Sequence, residues 1–202
     1  MQSKKALLVV DLQNDFCPGG ALGVSEGDLI IPKINNYVNL FLKKKLPVFV
    51  SRDWHPKQSK HFKQAGGPWP PHCVQNTEGA KFHPAFHIPE DAIIMSKGTN
   101  PELDGYSVFE AHDSQNRSFS EILNSMGIDE LYIAGIATDY CVKMTSLDAL
   151  NSGFVVHVLT DAIKGVDKND SERSIEAIVS KNGKLKKFSE ISEELKEHGQ
   201  TK

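Results

Sequence analysis

The chain enters its first predicted strand through the stretch ALLVVD, residues 6–11. Its five consecutive apolar residues end in two β-branched valines and stop at the carboxylate of Asp11. An apolar run that is continuous rather than alternating is typical of a strand that is buried on both faces. The stretch therefore predicts a strand inside a parallel sheet, with an acidic side chain where the strand ends.

Similar runs recur along the chain, and helical segments separate them. The other runs lie at residues 47–50, 92–95, 131–134 and 154–159. Helices are predicted over residues 28–44, 119–126, 139–152 and about 170–182, with a short frayed helix from about residue 190. A lysine-rich sixth strand near residues 184–188 suits an exposed edge. This alternation predicts an open, mainly parallel sheet of about six strands with helices on both faces, a three-layer, Rossmann-like α/β fold.

Length and composition indicate one ordinary globular domain. The chain has 202 residues, 39% of them hydrophobic, and 23 Lys and Arg against 26 Asp and Glu give a net charge of −3. These values exclude collagen-like, disordered and coiled-coil classes. The weakly acidic balance gives no electrostatic reason to expect nucleic acid or an anionic membrane as a partner. We therefore expect residues 1–202 to form a single domain.

The cysteines and the N-terminal segment predict a cytoplasmic location. Cys17, Cys73 and Cys141 are odd in number and widely spaced, which argues against a disulfide framework. No signal-peptide pattern follows Met1, and no window approaches the length of apolar chain that a membrane span needs. The sequence leaves open whether the protein forms a homo-oligomer.

Ionisable or nucleophilic side chains follow four successive predicted strands: Asp11, Asp53 with His55, Lys97 and Cys141. In an open parallel sheet, ligands bind beyond the carboxyl ends of the strands. Each residue alone is more often a turn, surface or core residue, but their joint occurrence predicts a catalytic group. Cys141 is the expected nucleophile and Asp11 the expected base, and Lys97 would keep that carboxylate ionised.

The helix that begins near Cys141 is expected to assist the thiol. Thr138 and Asp139 are candidate N-cap residues, and a helix N-terminus lowers the pKa of a thiol. Its free N–H groups could also hold an oxyanion. No glycine-rich dinucleotide fingerprint follows the first strand, which argues against a nicotinamide-dependent oxidoreductase.

Residues 54–91 form a long proline-rich loop that predicts a metal site. Asp53 and His55 are two apart, so both side chains can reach one ion from extended backbone. Carboxylate and imidazole suit zinc, iron or manganese. A third ligand is needed, and position alone does not choose among His61, His72, His83 and His87.

Six motifs cover most of the chain in order: DLQNDFCPGGAL at 11–22, RDWHP at 52–56, WPPHCVQNTEG at 69–79, SKG at 96–98, DGYSVF at 104–109 and GIATDYCV at 135–142. In this order they resemble the nicotinamidase (pyrazinamidase) family of the isochorismatase-like cysteine hydrolases. The resemblance covers about residues 5–190. It implies the isochorismatase-like fold, a parallel sheet with flanking helices, in agreement with the strand and helix pattern.

The resemblance also implies a role for individual residues. Asp11, Lys97 and Cys141 match the catalytic trio, and Asp53, His55 and His72 match the ligands of one divalent metal, expected to be zinc, with iron or manganese as alternatives. Phe16, Trp69, Tyr106 and Ala137 match the pocket for the pyridine ring. The peptide bond between Ile136 and Ala137 matches a cis bond, and the amides of Ala137 and Cys141 match the oxyanion hole.

The implied activity is an amidase that converts nicotinamide to nicotinate and ammonia through a cysteine thioester, in NAD salvage. Pyrazinamide is a related small amide that such a pocket could accept. The alternative is another Asp-Lys-Cys amidase of the superfamily with a carbamoyl or ureido substrate, but such relatives lack the Asp-x-His metal motif. Isochorismatases lack the cysteine, and a binding protein without catalysis would lack one of the trio.

Overall fold

The computed structural model describes residues 4–197 of the chain. Its strands are β1 (Lys5–Val10), β2 (Val48–Asp53), β3 (Ile93–Lys97), β4 (Glu130–Ile136), β5 (Val155–Lys164) and β6 (Lys184–Lys186). Its α-helices are α1 (Ile31–Lys43), α2 (Phe119–Met126), α3 (Lys143–Asn151), α4 (Lys168–Ser180) and α5 (Phe188–Glu197). All neighbouring strands pair in parallel, in the order β3-β2-β1-β4-β5-β6. The predicted parallel sheet of six strands is confirmed.

The alternating side chains of β1 belong to two separate cores, one on each face of the sheet. Leu7 and Val9 pack in the core that α1 and α5 cover. Leu8 and Val10 pack in the core that includes residues of α2, α3 and α4. Because both sets are fully buried, β1 needs apolar residues at every position, which explains its continuous apolar run.

Several helix boundaries differ from the predicted ones for local reasons. A 3-10 turn over Gly27–Ile30 precedes α1, and Pro32 occupies the first turn of α1 itself. The α-helix therefore begins later than expected. The Asp167 side chain accepts a hydrogen bond from the amide of Asp170 and starts α4 before residue 170. Gly127 adopts φ 66° and ends α2 as a glycine C-cap.

The C-terminal elements are better anchored than the sequence suggested. The lysine-rich β6 pairs with β5 and forms one edge of the sheet. Helix α5 was expected to fray, but Ile191 and Leu195 are buried in the core under α1.

Among residues 4–197, no helix combines the length and apolar character that a membrane crossing requires.

Gly135 lets β4 lie against β1 immediately before the chain reaches the site. It pairs with Val10 and adopts φ +119°, beside an irregularity in the pairing of β4 with β5. A β-carbon built at this position would lie 2.1 Å from the carbonyl oxygen of Val10. Only glycine fits here without moving one of the two strands that carry the site.

We expect Gly135→Ala to lower the free energy of unfolding by about 3 kcal/mol or more, because it adds backbone strain to a clash with buried backbone. Gly153→Ala is the matched control, since Gly153 also has positive φ, +88°, but open space around its β-carbon. That variant should lose only about 1 kcal/mol. Urea unfolding measures both, and equal losses would show that the contact with Val10 is unimportant.

Candidate active site

The ends of four neighbouring strands bring the predicted catalytic and metal residues together. Asp11 directly follows β1, Asp53 ends β2, Lys97 ends β3, and Cys141 lies in the turn after β4. Because these strands are parallel and adjacent, their carboxyl ends meet at one edge of the sheet. All four side chains are buried. The arrangement is a polar cluster enclosed by an apolar fold.

The ammonium group of Lys97 lies at the centre of this cluster. Lys97 is 0% exposed, and its Nζ lies 2.8 Å from Asp11 Oδ2 and 3.3 Å from Cys141 Sγ. It also donates to the carbonyl oxygen of Gly105, at 3.1 Å, and contacts Asp53 Oδ1. Burial alone would lower the pKa of Lys97, but the two carboxylates raise it well above its usual value. The group is therefore a buried cation.

Asp11 has the properties of a base beside a protonated thiol. Burial raises the pKa of Asp11, while Lys97 acts in the opposite direction. Ser51 Oγ donates to Asp11 Oδ1 at 2.7 Å and fixes one carboxylate oxygen. Burial likewise raises the pKa of the Cys141 thiol well above its usual value. The expectation of a lowered thiol pKa was wrong, because burial outweighs the lowering effect of Lys97.

The turn that carries Cys141 differs from the predicted helix start. A π-helical turn over Thr138–Val142 precedes α3, and Ala137 is the N-cap residue without a side-chain cap. The prediction of a Thr138 or Asp139 cap was wrong. The Asp139 carboxylate instead accepts hydrogen bonds from the distant amides of Val166 and Asp167. The peptide bond between Ile136 and Ala137 is cis, as the resemblance implied.

Three histidines of the loop between β2 and β3 converge beside Asp53. His55, His61 and His72 are buried, and one ring nitrogen of each lies within 4.8 Å of the others. Asp53 Oδ2 lies 3.4 Å from His55 Nε2 and 3.8 Å from His72 Nε2. Sequence spacing left four histidines open, and the resemblance selected His72 alone. The structure brings His61 into the same cluster but not His83 or His87.

The protonation of this cluster fits a bound cation. His72 Nδ1 donates to the carbonyl oxygen of Pro70 at 2.8 Å, which leaves the Nε2 lone pair free. Burial lowers the pKa of His72 to about 4 and lowers that of His61, so both rings are neutral near pH 7. Within residues 4–197, neither ring nitrogen of buried His55 has a hydrogen-bond partner. Neutral imidazoles beside an ionised carboxylate are the donor set of zinc and related metals.

His61 has its own orienting partner, which sequence reasoning missed. Its Nδ1 lies 2.9 Å from the carboxylate of Asp104, in the loop after β3. Carboxylates in this position fix the ring orientation of metal-binding histidines. No spacing rule could have found this pair, because 43 residues separate its members.

Two polar side chains directly after β1 hold the histidine loop in place. The buried Gln13 amide donates to the carbonyl oxygens of Asp53 and Ala80, and it accepts from the amide of Asp53. Asp15 accepts from the amide of Cys73, next to His72. Both residues belong to the first sequence motif, whose position beside the predicted base was the available signal. They are positioning residues for the histidine cluster.

One cavity of about 250 Å³ connects the thiol with the histidine cluster. Its wall includes Cys141, Asp53, His61 and His72, and the four residues assigned to the pocket by resemblance, Phe16, Trp69, Tyr106 and Ala137. Trp69 Nε1 donates to the Tyr106 hydroxyl at 2.8 Å, and the Trp69 ring packs edge-on against the Tyr140 ring. Tyr140, which the sequence did not single out, completes an aromatic wall. The volume suits one small aromatic molecule rather than a long chain.

Comparison with known proteins agrees with this geometry. A family model described as "Isochorismatase domain" matches residues 5–188. The nicotinamidase of Escherichia coli (strain K12) is 43% identical over 179 residues, covering 81% of this chain and 84% of that protein. The structure of the pyrazinamidase of Pyrococcus horikoshii in complex with zinc is 48% identical with a TM-score of 0.85, covering 92% of this chain and 99% of that one. PnC1 from L. infantum in complex with nicotinate is 31% identical with a TM-score of 0.82, covering 93% and 94%.

A parallel sheet with a thiol, a carboxylate and an ammonium group at its carboxyl edge defines a cysteine hydrolase with an isochorismatase-like fold. The chain belongs to the isochorismatase family, whose model spans residues 5–188. Its resemblance to the nicotinamidases of that family is confirmed by curated relatives that are 36%, 40% and 43% identical.

We expect Lys97→Met to lower the free energy of unfolding by about 3–5 kcal/mol, because it leaves two buried carboxylates without a counter-charge. Lys60→Met removes an exposed ion pair with Glu102 and should change stability by less than about 1 kcal/mol. Urea unfolding of both variants makes the comparison. A stable Lys97→Met protein would contradict the central role of the ammonium group.

We expect His61→Ala and His72→Ala each to weaken the binding of divalent metal at least about 10-fold, because each removes one ring nitrogen from the cluster. His87→Ala, at an exposed position of the same loop, should bind as the parent does. Titration of metal-free protein with Zn²⁺ or Mn²⁺ measures the affinities. Unchanged affinity in either cluster variant would remove that histidine from the ligand set.

Proposed function

We propose that the protein is a nicotinamidase, which hydrolyses nicotinamide to nicotinate and ammonia in NAD salvage. The observation that carries the proposal is the small aromatic cavity that touches both the Cys141 thiol and the histidine cluster. A pyridine ring can lie between the aromatic side chains while its carboxamide reaches the thiol. The curated relatives named nicotinamidase, and the related structure that contains nicotinate, support this substrate class. Pyrazinamide has the same shape and is a second substrate.

The first half of the reaction forms a thioester on Cys141. Asp11 takes the thiol proton, and the sulfur attacks the carboxamide carbon. The backbone amides of Ala137 and Cys141 hold the negative oxygen of the tetrahedral intermediate. Asp11 then gives its proton to the departing nitrogen, so that ammonia leaves as the C–N bond breaks. Lys97 keeps the carboxylate in place during both proton transfers.

The second half regenerates the enzyme. Asp11 accepts a proton from water, which attacks the thioester carbon, and the same amides hold the oxygen again. The C–S bond breaks, Asp11 returns its proton to the departing sulfur, and the product loses its carboxyl proton to solvent and leaves as nicotinate. Because the resting thiol is protonated, each half of the reaction depends on a carboxylate that both accepts and returns a proton.

The metal ligands in this proposal are Asp53, His55 and His72, with His61 as an additional imidazole. Zinc is the proposed ion, since nitrogen ligands with one carboxylate suit it and a related pyrazinamidase structure contains it. When bound, the ion supplies a positive centre that can orient the pyridine nitrogen. The same cluster disfavours the alternative of a carbamoyl or ureido amidase, for which a histidine cluster beside the cavity has no role.

We also propose that residues 1–202 act as one domain in the cytoplasm, with the loop over residues 54–91 supplying the metal cluster. Two observations support this organisation. The five helices pack on one sheet, and all three cysteines are free and buried. Free thiols are typical of a reducing compartment.

We expect Cys141→Ala to lower the rate of ammonia release from nicotinamide by more than about 1,000-fold, because no other thiol lines the cavity. The variant should stay folded and should bind metal, since it shortens one side chain without removing a charge. Cys17→Ala is the matched control, because Cys17 is also a buried thiol but is not among the residues that line the cavity. Substantial turnover by Cys141→Ala would rule out the thioester.

A further inference from the structure

Asp139 connects the turn that carries Cys141 to a segment after β5. Its side chain is mostly buried, and it accepts hydrogen bonds from the amide of Val166 at 3.0 Å and from that of Asp167 at 2.9 Å. Two backbone donors on one carboxylate form charge-assisted bonds, which are stronger than neutral ones. The reaction proposed above gives Asp139 no chemical step, although it lies two residues from the nucleophile.

The segment of residues 165–167 is closely packed at both of its ends. A β-carbon at Gly165 would lie 1.9 Å from Ser171 Oγ and 3.0 Å from Asp139 Oδ1. At the other end, the Asp167 side chain accepts from the amide of Asp170 and caps α4. The backbone of the segment is thus fixed by Asp139 on one side and by the first turn of α4 on the other.

Val166, in the middle of this segment, separates two cavities. Val166 lines the cavity beside Cys141, called the active cavity below, and it also lines a second cavity of about 700 Å³ between the end of β5 and α4. Val166 is 57% exposed, so side-chain packing does little to hold it. Its position follows from the backbone, and the backbone is held by Asp139.

We propose that Val166 is a specificity-determining residue and that Asp139 is its positioning residue. Val166 closes one side of the active cavity and limits the size of the substrate there. The excluded class is pyridine-3-carboxamides with a substituent on a ring carbon, which would extend into the neighbouring cavity. The proposal rests on the amidase function given above, and it adds what sets the limit on substrate size.

The direct test measures kcat/KM for nicotinamide and for its methyl derivatives at each free ring carbon. In Val166→Ala, the ratio of methylated to unmethylated substrate should rise about 10-fold or more for at least one ring position, as expected for one methyl group in an apolar pocket. Asp139→Asn keeps only one acceptor oxygen in the side chain. It should raise the ratio of methylated to unmethylated substrate at the same ring position as Val166→Ala does. Ratios that stay at the parent value for all positions in Val166→Ala would overturn the proposal.

A second comparison separates positioning from plain stability. Asp167→Ala removes the cap of α4 but leaves the backbone amides that Asp139 holds. It should lower Tm without changing the substrate ratio, whereas Asp139→Ala should change both. If Asp139→Ala lowers Tm and leaves the ratio at the parent value, its role is structural only and the positioning role is wrong.

A third measurement does not depend on turnover. The rates at which iodoacetamide and the bulkier N-phenylmaleimide alkylate Cys141 are measured by mass spectrometry of the peptide that contains Cys141. Val166→Ala and Asp139→Asn should raise the relative rate of the bulky reagent, and Asp167→Ala should not. A parent protein that hydrolyses no nicotinamide would contradict the proposed function, while the alkylation ratio would still decide on the cavity wall. An unchanged ratio in Val166→Ala would overturn the inference in either case.

Discussion

The buried ammonium group of Lys97 is the interaction on which the site depends. A cation without solvent is tolerated only when opposite charges and hydrogen-bond acceptors surround it. The sheet provides these groups directly, because Asp53 is the register partner of Lys97 in the pairing of β2 with β3, and β1 delivers Asp11 from the next strand. Strand order and register therefore do more than shape the fold. They place two carboxylates around one lysine, and they place the thiol of the turn after β4 beside the same group.

The two carboxylates share one cation but have opposite pKa shifts. Burial raises the pKa of Asp11 despite Lys97. Burial acts on Asp53 as well, but Lys97 and the neighbouring histidines lower its pKa far below the usual value. Carboxyl groups whose environments separate their pKa values in this way have separate roles. Asp11 can exchange a proton with the thiol, whereas Asp53 stays ionised on the side of the histidine cluster and suits a cation.

The sequence predicted the parts of this arrangement that depend on local pattern and chain order. Continuous apolar runs identified the strands, and the strand ends identified Asp11, Asp53, Lys97 and Cys141, because parallel strands bring their carboxyl ends together. Features that depend on contacts between residues far apart in the chain could not be predicted from the sequence. The thiol pKa was predicted in the wrong direction, since burial of Cys141 arises from the whole fold. The cap at Asp139 was wrong because its carboxylate binds amides 27 and 28 residues away, and no pattern in one sequence records such a partner.

Selectivity and chemistry in this site have a common physical origin. A cavity lined by aromatic side chains favours a flat apolar ring, and the burial of the thiol that comes with it disfavours a thiolate and raises the pKa of Cys141. A more open site would ionise the thiol more easily and would hold a small ring less firmly. The fold places the carboxylate of Asp11, whose pKa is also raised by burial, in the same cluster as the thiol, so that in the proposed mechanism a base is available to take the thiol proton. In the proposed mechanism, the burial of the thiol is thus the reason that a base must lie beside it.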